Sequence, residues 1–350
     1  MTRQGEALQA DKQEPTPSTH PMRDGIIPVA VVIVNYNTRE FLRSCLATVQ
    51  LEAPSEVVVV DNASSDGSVE MVQADYPWAV LYANKTNLGY GAAANQAIAR
   101  CTAKHVLLLN SDTLLPVGAL QALSTYLDRH PRAAIVGPRL VNSDGTLQAS
   151  CFPFPGTFSW LLDNDDLCWL SRHIPILRNR LLRTWPHTYA RVVPWVKGAA
   201  LMIRRQAFEE VGGFDDSFFL YFEETDLCHR LSTAGWEIHF APIATIVHAG
   251  EASTVQRAAD MTVQLVASNM KFCRQHYSRT WFAGLAMIMK ITILARLIRD
   301  TIRTQIERDP SKRARIAADV AAWQRVLLGH SPDGSTYSPQ SIAHNKHADQ

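Results

Sequence analysis

The chain has 350 residues, 47% of them hydrophobic, enough to bury a substantial core in one large or two closely joined domains. Its 34 basic and 33 acidic residues leave a formal net charge of +1, which excludes a global electrostatic pull toward nucleic acid. Cys45, Cys101, Cys151, Cys168, Cys228 and Cys273 form no Cys-x-x-Cys pair and no metal-finger spacing, a scatter that fits buried thiols in a reducing cytosol.

Residues 1–27 are polar and rich in Pro, Ser and Thr, with no apolar stretch of the signal-peptide kind, and read as a disordered lead-in. Pro28–Val34 is a continuous β-branched run, the pattern of a strand buried on both faces of a parallel sheet. A helix is predicted from Arg39 to Gln50, a second strand at Glu56–Val60, and then a turn rich in capping residues, Asp61–Gly67, with Asp66 capping the next helix. A strand at Val80–Ala83, a helix from Gly89 to Arg100 and a strand at His105–Leu109 complete a βαβαβαβ series. Such alternation predicts an α/β fold with an open, mostly parallel sheet and helices on both faces. Ligands of such sheets bind at the carboxyl ends of the strands, where Asn35–Asn37, Asp61–Asp66 and Asn110–Asp112 fall. Residues 28–130 therefore read as a nucleotide-binding half.

Residues 138–190 are loop-rich, with Pro153, Pro155, Pro175 and Pro186 and an acidic patch, Asp163–Asp166, that reads as a solvated turn. Regular structure resumes at Trp195–Ile203, and two short strands are predicted at Glu237–Phe240 and Thr245–Val247. From Met261 to Leu328 the chain reads as helices, and residues 329–350 as a polar tail. The apolar stretch Trp281–Ile298 is interrupted by Lys290 and Arg296, marginal for a spanning helix. With Arg274, Arg279, Arg299, Arg303, Lys312, Arg313 and Arg315 nearby, it suits a helix lying on an anionic membrane surface; the alternative is a helix packed on the protein with a solvated basic face.

Three motifs carry the chemistry. Glu223, Glu224 and Asp226 follow a run of bulky apolar residues, where lost hydration raises a carboxyl's proton affinity and suits a general base; the competing reading is an acidic first helical turn. Asp112, at a strand end, can bind Mg2+ or Mn2+ bridged to phosphate, or can cap the following turn, and His248 can join it as an imidazole ligand or be structural. Gly89-Tyr-Gly91-Ala-Ala-Ala94 matches the dinucleotide fingerprint, with Asp112 about 20 residues on, and raises an NAD(P)-dependent oxidoreductase as a second reading. That fingerprint normally occupies the first βα turn, whereas this one follows the third strand, so a turn shaped for backbone packing is expected.

The ordered set of segments resembles the family-2 inverting glycosyltransferases of the GT-A fold, especially the rhamnosyltransferase-like branch. It comprises Val32-Ile-Val-Asn-Tyr-Asn-Thr38, Val58-Val-Val-Asp-Asn-Ala-Ser-Ser-Asp-Gly-Ser68, Asn87-Leu-Gly-Tyr-Gly-Ala-Ala-Ala-Asn95 and Leu107-Leu-Leu-Asn-Ser-Asp112. Lys197-Gly-Ala-Ala-Leu-Met-Ile-Arg-Arg205, Gly212-Gly-Phe-Asp-Asp-Ser-Phe-Phe219, Phe222-Glu-Glu-Thr-Asp-Leu-Cys228 and then His248 follow. The resemblance covers residues 28–255, with 131–255 as the acceptor half and 256–328 as a C-terminal helical region.

The resemblance implies that Asn35, Tyr36 and Asp61 hold the nucleoside of a nucleotide-diphospho-sugar (dTDP, UDP or GDP), that Asn87 and Asn95 lie near it, and that Lys197 and Gly198 sit beside the sugar. It implies Mg2+ or Mn2+ on Asp112, the last residue of the family's DxD motif, with His248 as a further ligand; Asn110 stands where the motif's first Asp would be. The family's base is the Asp of a Glu-Asp pair, and Glu224 occupies that place, with Asp226 in reserve and Glu223 orienting the helix or the acceptor. The implied reaction is direct displacement at the anomeric carbon by a hydroxyl of a lipid-linked or cell-surface glycan, in the cytoplasm at the inner face of the membrane. A non-catalytic glycan-assembly protein of the same fold is the third reading.

Overall fold

The computed structural model describes residues 26–156, 182, 185–250 and 258–329. The lead-in, the polar tail, Cys168 and the Asp163–Asp166 patch lie outside the described residues. Strand β1 (Ile27–Asn35) is followed by α1 (Arg39–Glu52), β2 (Pro54–Asp61), α2 (Ser68–Asp75), β3 (Val80–Ala83), α3 (Tyr90–Ile98) and β4 (His105–Asn110), the predicted alternation. Next come β5 (Thr113–Leu114), α4 (Ala119–Arg129), β6 (Ala133–Val141), β7 (Leu147–Gln148) and β8 (Cys151–Phe152). Beyond the undescribed stretch lie β9 (Arg191–Val192), β10 (Trp195–Val196), β11 (Ala200–Arg204), α5 (Arg205–Glu210), α6 (Glu223–Thr233) and β12 (Glu237–His248). Helices α7 (Ala258–His276), α8 (Arg279–Ile306) and α9 (Pro310–Leu327) end the described chain.

The main sheet runs β3-β2-β1-β4-β11-β6-β12-β5, with β7 beside β6 and β9 beside β12. β1 to β4 are parallel, whereas β11 is antiparallel to both β4 and β6, so the second half of the sheet is mixed. Alternation along β1 sorts the core: Val29, Val31 and Ile33 pack with Leu42, Leu46 and Leu123 of α1 and α4. Ala30 and Val32 pack with Ala93, Phe208 and Leu227 of α3, α5 and α6. Each of the buried Val, Leu, Ile and Phe side chains contributes about 1.5–3 kcal/mol.

Three elements depart from the sequence expectation. The Trp195–Ile203 stretch is two strands broken at Lys197–Gly198. The two predicted strands near residues 237–247 are one strand, β12, whose pairing with β6 is irregular between Phe240 and Thr245. That irregularity falls opposite Pro138, between Gly137 and Arg139, where the ladder lacks an N–H to donate. β6 itself extends into the region expected to be loop: its Gly-Pro dipeptide reads as a break in sequence, but burial between β11 and β12 overrides it.

The glycine fingerprint is a packing device. Gly89 has φ +85°, and a Cβ there would lie 2.4 Å from the Phe219 carbonyl oxygen; one on Gly91 would meet Phe214 Cβ at 3.2 Å. Tyr90 N–H donates to that Phe219 carbonyl at 3.0 Å, and Gly89 N–H to Asn87 Oδ1 at 2.9 Å. Amides that a pyrophosphate would need are thus already taken by protein, which argues against the NAD(P) reading. Gly89→Ala is expected to cost roughly 2–4 kcal/mol in chemical denaturation. Gly118→Ala, at φ +88° but in open space, should cost about 1 kcal/mol. Equal costs would contradict the close approach.

Candidate active site

The polar strand ends line up because the ladder aligns them: Asn35 is the partner of Asp61, and Val34 of Asn110. Asn35 is fully buried, donating through Nδ2 to Asp61 Oδ2 at 2.8 Å, while Asp61 Oδ1 accepts Ser64 N–H at 2.8 Å. Asn35 therefore holds the Asp61 carboxylate and presents no atom of its own to solvent. Thr38 Oγ1 donates to Asn35 Oδ1 at 2.6 Å and lies 2.7 Å from Ser111 Oγ, tying the β1 turn to the β4 turn. Asp66 caps the following helix through Ser68 N–H and also accepts Arg39 N–H. Tyr36 is exposed at the end of β1.

Asp112 and His248 converge. Asp112 Oδ1 lies 3.3 Å from His248 Nε2, and Oδ2 accepts Gly250 N–H at 3.0 Å. Burial would raise the Asp112 carboxyl, but the adjoining His248 ring and the Gly250 amide outweigh it and hold the group below its ordinary value. His248 Nδ1 sits 2.6 Å from Gln148 Oε1, which also accepts from Lys197 Nζ at 3.2 Å. Among the described residues no third His, Cys, Asp or Glu joins this pair. One carboxylate oxygen and one imidazole nitrogen facing each other fit a hard divalent cation whose remaining ligands are phosphate oxygens and water.

The carboxylate helix is reached through two successive non-glycine residues at positive φ, Tyr221 at 65° and Phe222 at 71°. Such backbone costs of order 1–3 kcal/mol per residue and needs external support. Helix α7 supplies it: Ser268 Oγ and Gln264 Nε2 donate to the Leu220 carbonyl at 2.9 and 3.3 Å, and Phe222 packs against the cluster of Phe218, Phe272 and Met289. The turn delivers Glu223 and Glu224 to the site. Glu224 Oε1 accepts Gly198 N–H at 3.2 Å, and a Cβ on Gly198 would lie 3.3 Å from that oxygen. Burial raises the Glu224 carboxyl, partly countered by its hydrogen bonds and by Lys197. Glu223 is pushed well above the ordinary range by burial and by Glu224, and its buried Oε2 has no hydrogen-bond partner among the described residues.

Asp226, the reserve base, has both carboxylate oxygens engaged by protein groups. It is 1% exposed, its Oδ2 accepts Arg230 Nε at 2.7 Å, and its Oδ1 pairs with His276 Nε2 at 2.7 Å. Two residues along a helix also turn it roughly 200° from Glu224. Its work is to join α6 to α7. Asn95 is likewise spent on structure: its amide bonds the Phe214 backbone in both directions at 2.9 Å and reaches Asp216 at 2.6 Å, strapping α3 to the segment before α6. Asn87 closes the turn before Gly89. Burial lowers the Lys197 ammonium, while the charges of Glu224 and Asp112 pull it back up. The sequence reading missed Gln148, Tyr90, whose hydroxyl donates to the Gly198 carbonyl at 3.4 Å, and His276. For Gln148 the available signal was the Asp144-Gly145 turn signature that doubles β7 back on β6.

The folded state holds the Glu223 proton more tightly than the unfolded chain, whose carboxyl titrates near 4.5. Deprotonation therefore penalises the fold, and this contribution is lost as pH rises above that value. Glu223→Gln should gain thermal stability relative to wild type as pH goes from about 5 to about 8. A melting-temperature difference that is constant with pH would contradict the burial of an ionisable Glu223.

Residues 27–268 match the family model described as glycosyltransferase like family 2. An N-acetylglucosaminyl-diphospho-decaprenol L-rhamnosyltransferase of Mycobacterium tuberculosis is 30% identical over 289 residues, covering 78% of this chain and 94% of that protein. A pre-mycofactocin glycosyltransferase of the same species is 31% identical over 245 residues, covering 69% of this chain and 46% of that one. Among solved structures, a mannosyltransferase of Pyrobaculum calidifontis in complex with GDP-Man and Mn2+ is 17% identical with a TM-score of 0.49, covering 90% of this chain and 91% of that one. The chain belongs to glycosyltransferase family 2: it is a glycosyltransferase with rhamnosyltransferase-like relatives.

Proposed function

We propose that the protein moves a sugar, with inversion, from a nucleotide-diphospho-sugar to a hydroxyl of a lipid-linked or cell-surface glycan, with Glu224 as general base. The observation that carries this reading is a pair of carboxyl groups, both acting on Lys197, whose environments push them apart. Glu224 is raised and able to take a proton, while Asp112 is lowered and remains anionic. Asp112 and His248 would hold Mg2+ or Mn2+, which when bound neutralises the departing diphosphate. Glu224 Oε1 is anchored on the Gly198 amide, which fixes the carboxyl in place. Asp61 and Tyr36 at the strand ends would receive the nucleoside. The name of the mycobacterial relative supports L-rhamnose as the sugar and a polyprenyl-diphosphate sugar as the acceptor class.

The C-terminal helices support contact with a membrane. α8 is long and apolar enough to cross one by length and composition, with a best window of mean hydropathy 1.7, of which 17% is buried. Its buried side, Leu285, Met289 and Ile293, packs against α7 and α9. Arg296 lies over the Trp323 ring, 5.0 Å from its centroid, so α9 folds back along α8. The start of α9 exposes Lys312, Arg313 and Arg315. A spanning α8 would drag those cations into hydrocarbon, at about 2.5–3.5 kcal/mol each, which favours an in-plane helix. Met287, Ile291, Leu294, Ile298 and Ile302 form the exposed apolar stripe, about 22 Å long, and the neighbouring cations match anionic headgroups at the inner leaflet.

Glu224→Gln should lower kcat about 10²–10⁴-fold while nucleotide-sugar binding persists, read by product formation and by calorimetric titration of the donor. Unchanged turnover would remove Glu224 from the role of base. Replacing Ile291 and Ile298 together by Glu should abolish cosedimentation with vesicles containing anionic lipid but spare turnover of a water-soluble acceptor. Undiminished cosedimentation would rule out the α8 stripe as the membrane contact.

A further inference from the structure

We infer that Gln148 is a positioning residue that fixes the tautomer of His248, and that a hairpin outside the site sets the polarity of Gln148. The inference rests on the proposed role of His248 toward a divalent cation and adds the group that prepares it. The logic is one of donors and acceptors along a single chain of contacts. Asp144, exposed in the turn between β6 and β7, is an acceptor, and Thr146 Oγ1 donates to its Oδ1 at 2.6 Å. Thr146 Oγ1, having spent its proton, accepts from Asn142 Nδ2 at 2.9 Å. Asn142 must then turn Oδ1 the other way, where it accepts Gln148 Nε2 at 2.8 Å. Gln148 in turn presents Oε1 to His248 Nδ1 at 2.6 Å.

A second, independent constraint agrees. Lys197 Nζ carries only donors and lies 3.2 Å from the same Oε1, so that atom is the oxygen. Gln148 Nε2 also reaches the His248 carbonyl at 3.4 Å, again as a donor. An oxygen facing His248 Nδ1 demands a proton on Nδ1. In the neutral ring the lone pair is then on Nε2, the atom that faces the Asn110 Nδ2 donor at 3.4 Å and lies 3.3 Å from Asp112 Oδ1. The other tautomer would point an N–H at the Asp112 carboxylate and close the cation position with a charge-assisted hydrogen bond. Groups that orient a metal-binding histidine in this way typically account for 10–100-fold of metal affinity.

The test has two readouts. In protein labelled with 15N-histidine, with His248 assigned by comparison with His248→Gln, the wild-type ring nitrogens should report Nδ1–H, with no metal or nucleotide present. Gln148→Met should shift His248 toward the Nε2–H form and weaken Mn2+ binding about 10–100-fold, read by electron paramagnetic resonance of free Mn2+ with UDP present. Gln148→Glu, which keeps an acceptor at Nδ1, should restore the wild-type tautomer. Thr146→Val, at an exposed position, should move the tautomer in the same direction as Gln148→Met by a smaller amount. An Nε2–H wild type, or a tautomer unmoved by both Gln148→Met and Thr146→Val, would overturn the inference. Wild-type protein with the expected tautomer but no Mn2+ binding would instead remove the cation reading and leave the positioning of the ring standing.

Discussion

The backbone contact between the Gly89–Gly91 turn and Phe219 governs how the two halves of the molecule meet. Tyr90 N–H reaches the Phe219 carbonyl at 3.0 Å, and any side chain on Gly89 would overlap that oxygen. Because the segment before α6 can approach this closely, the helix start arrives beside the strand ends of the nucleotide half. Glu223 then lies against Gly91, and Glu224 against the Gly198 amide. The absence of two β-carbons thereby determines where the acidic pair stands relative to Asp112.

The same segment needs support from its other side. Tyr221 and Phe222 hold positive φ angles that neither residue favours, and α7 secures them through Ser268, Gln264 and the ring of Phe272. Asp226 adds a charged tie to His276, whose ring lies 4.2 Å from that of His229. The C-terminal helices are thus part of the catalytic framework as well as carriers of the apolar stripe on α8. On the proposed reading, a lipid-linked acceptor would meet helices bonded to the one that carries Glu224.

Much of the fold was legible because hydrophobic periodicity and turn chemistry act locally. The β-branched runs of β1, β2 and β4 and the polar residues at their ends were read at nearly their observed positions. β6 was not, because its Gly137-Pro138 pair signals a break, and only burial between two neighbouring strands offsets the missing N–H. Within the site, residue types single out Asp112, His248 and Glu224 as candidates, because their chemistry is intrinsic to their side chains. The bonds that Asp226 and Asn95 make were not legible, for a complementary reason. Their partners, His276 and the Phe214 backbone, are 50 and 119 residues away, and no local pattern announces them. Gln148 was silent for the same reason, since an amide acquires its meaning only from what faces it.

The central claim is that one oxygen of Asp112 and Nε2 of His248 form half of a cation site within reach of a diphosphate. It is tested most directly by anomalous diffraction from crystals grown with Mn2+ and a nucleoside diphosphate. The account predicts a single strong peak about 2.1 Å from both Asp112 and His248 Nε2, shared with diphosphate oxygens. A diphosphate bound at the strand ends with no peak there, or a peak coordinated by other residues, would contradict it.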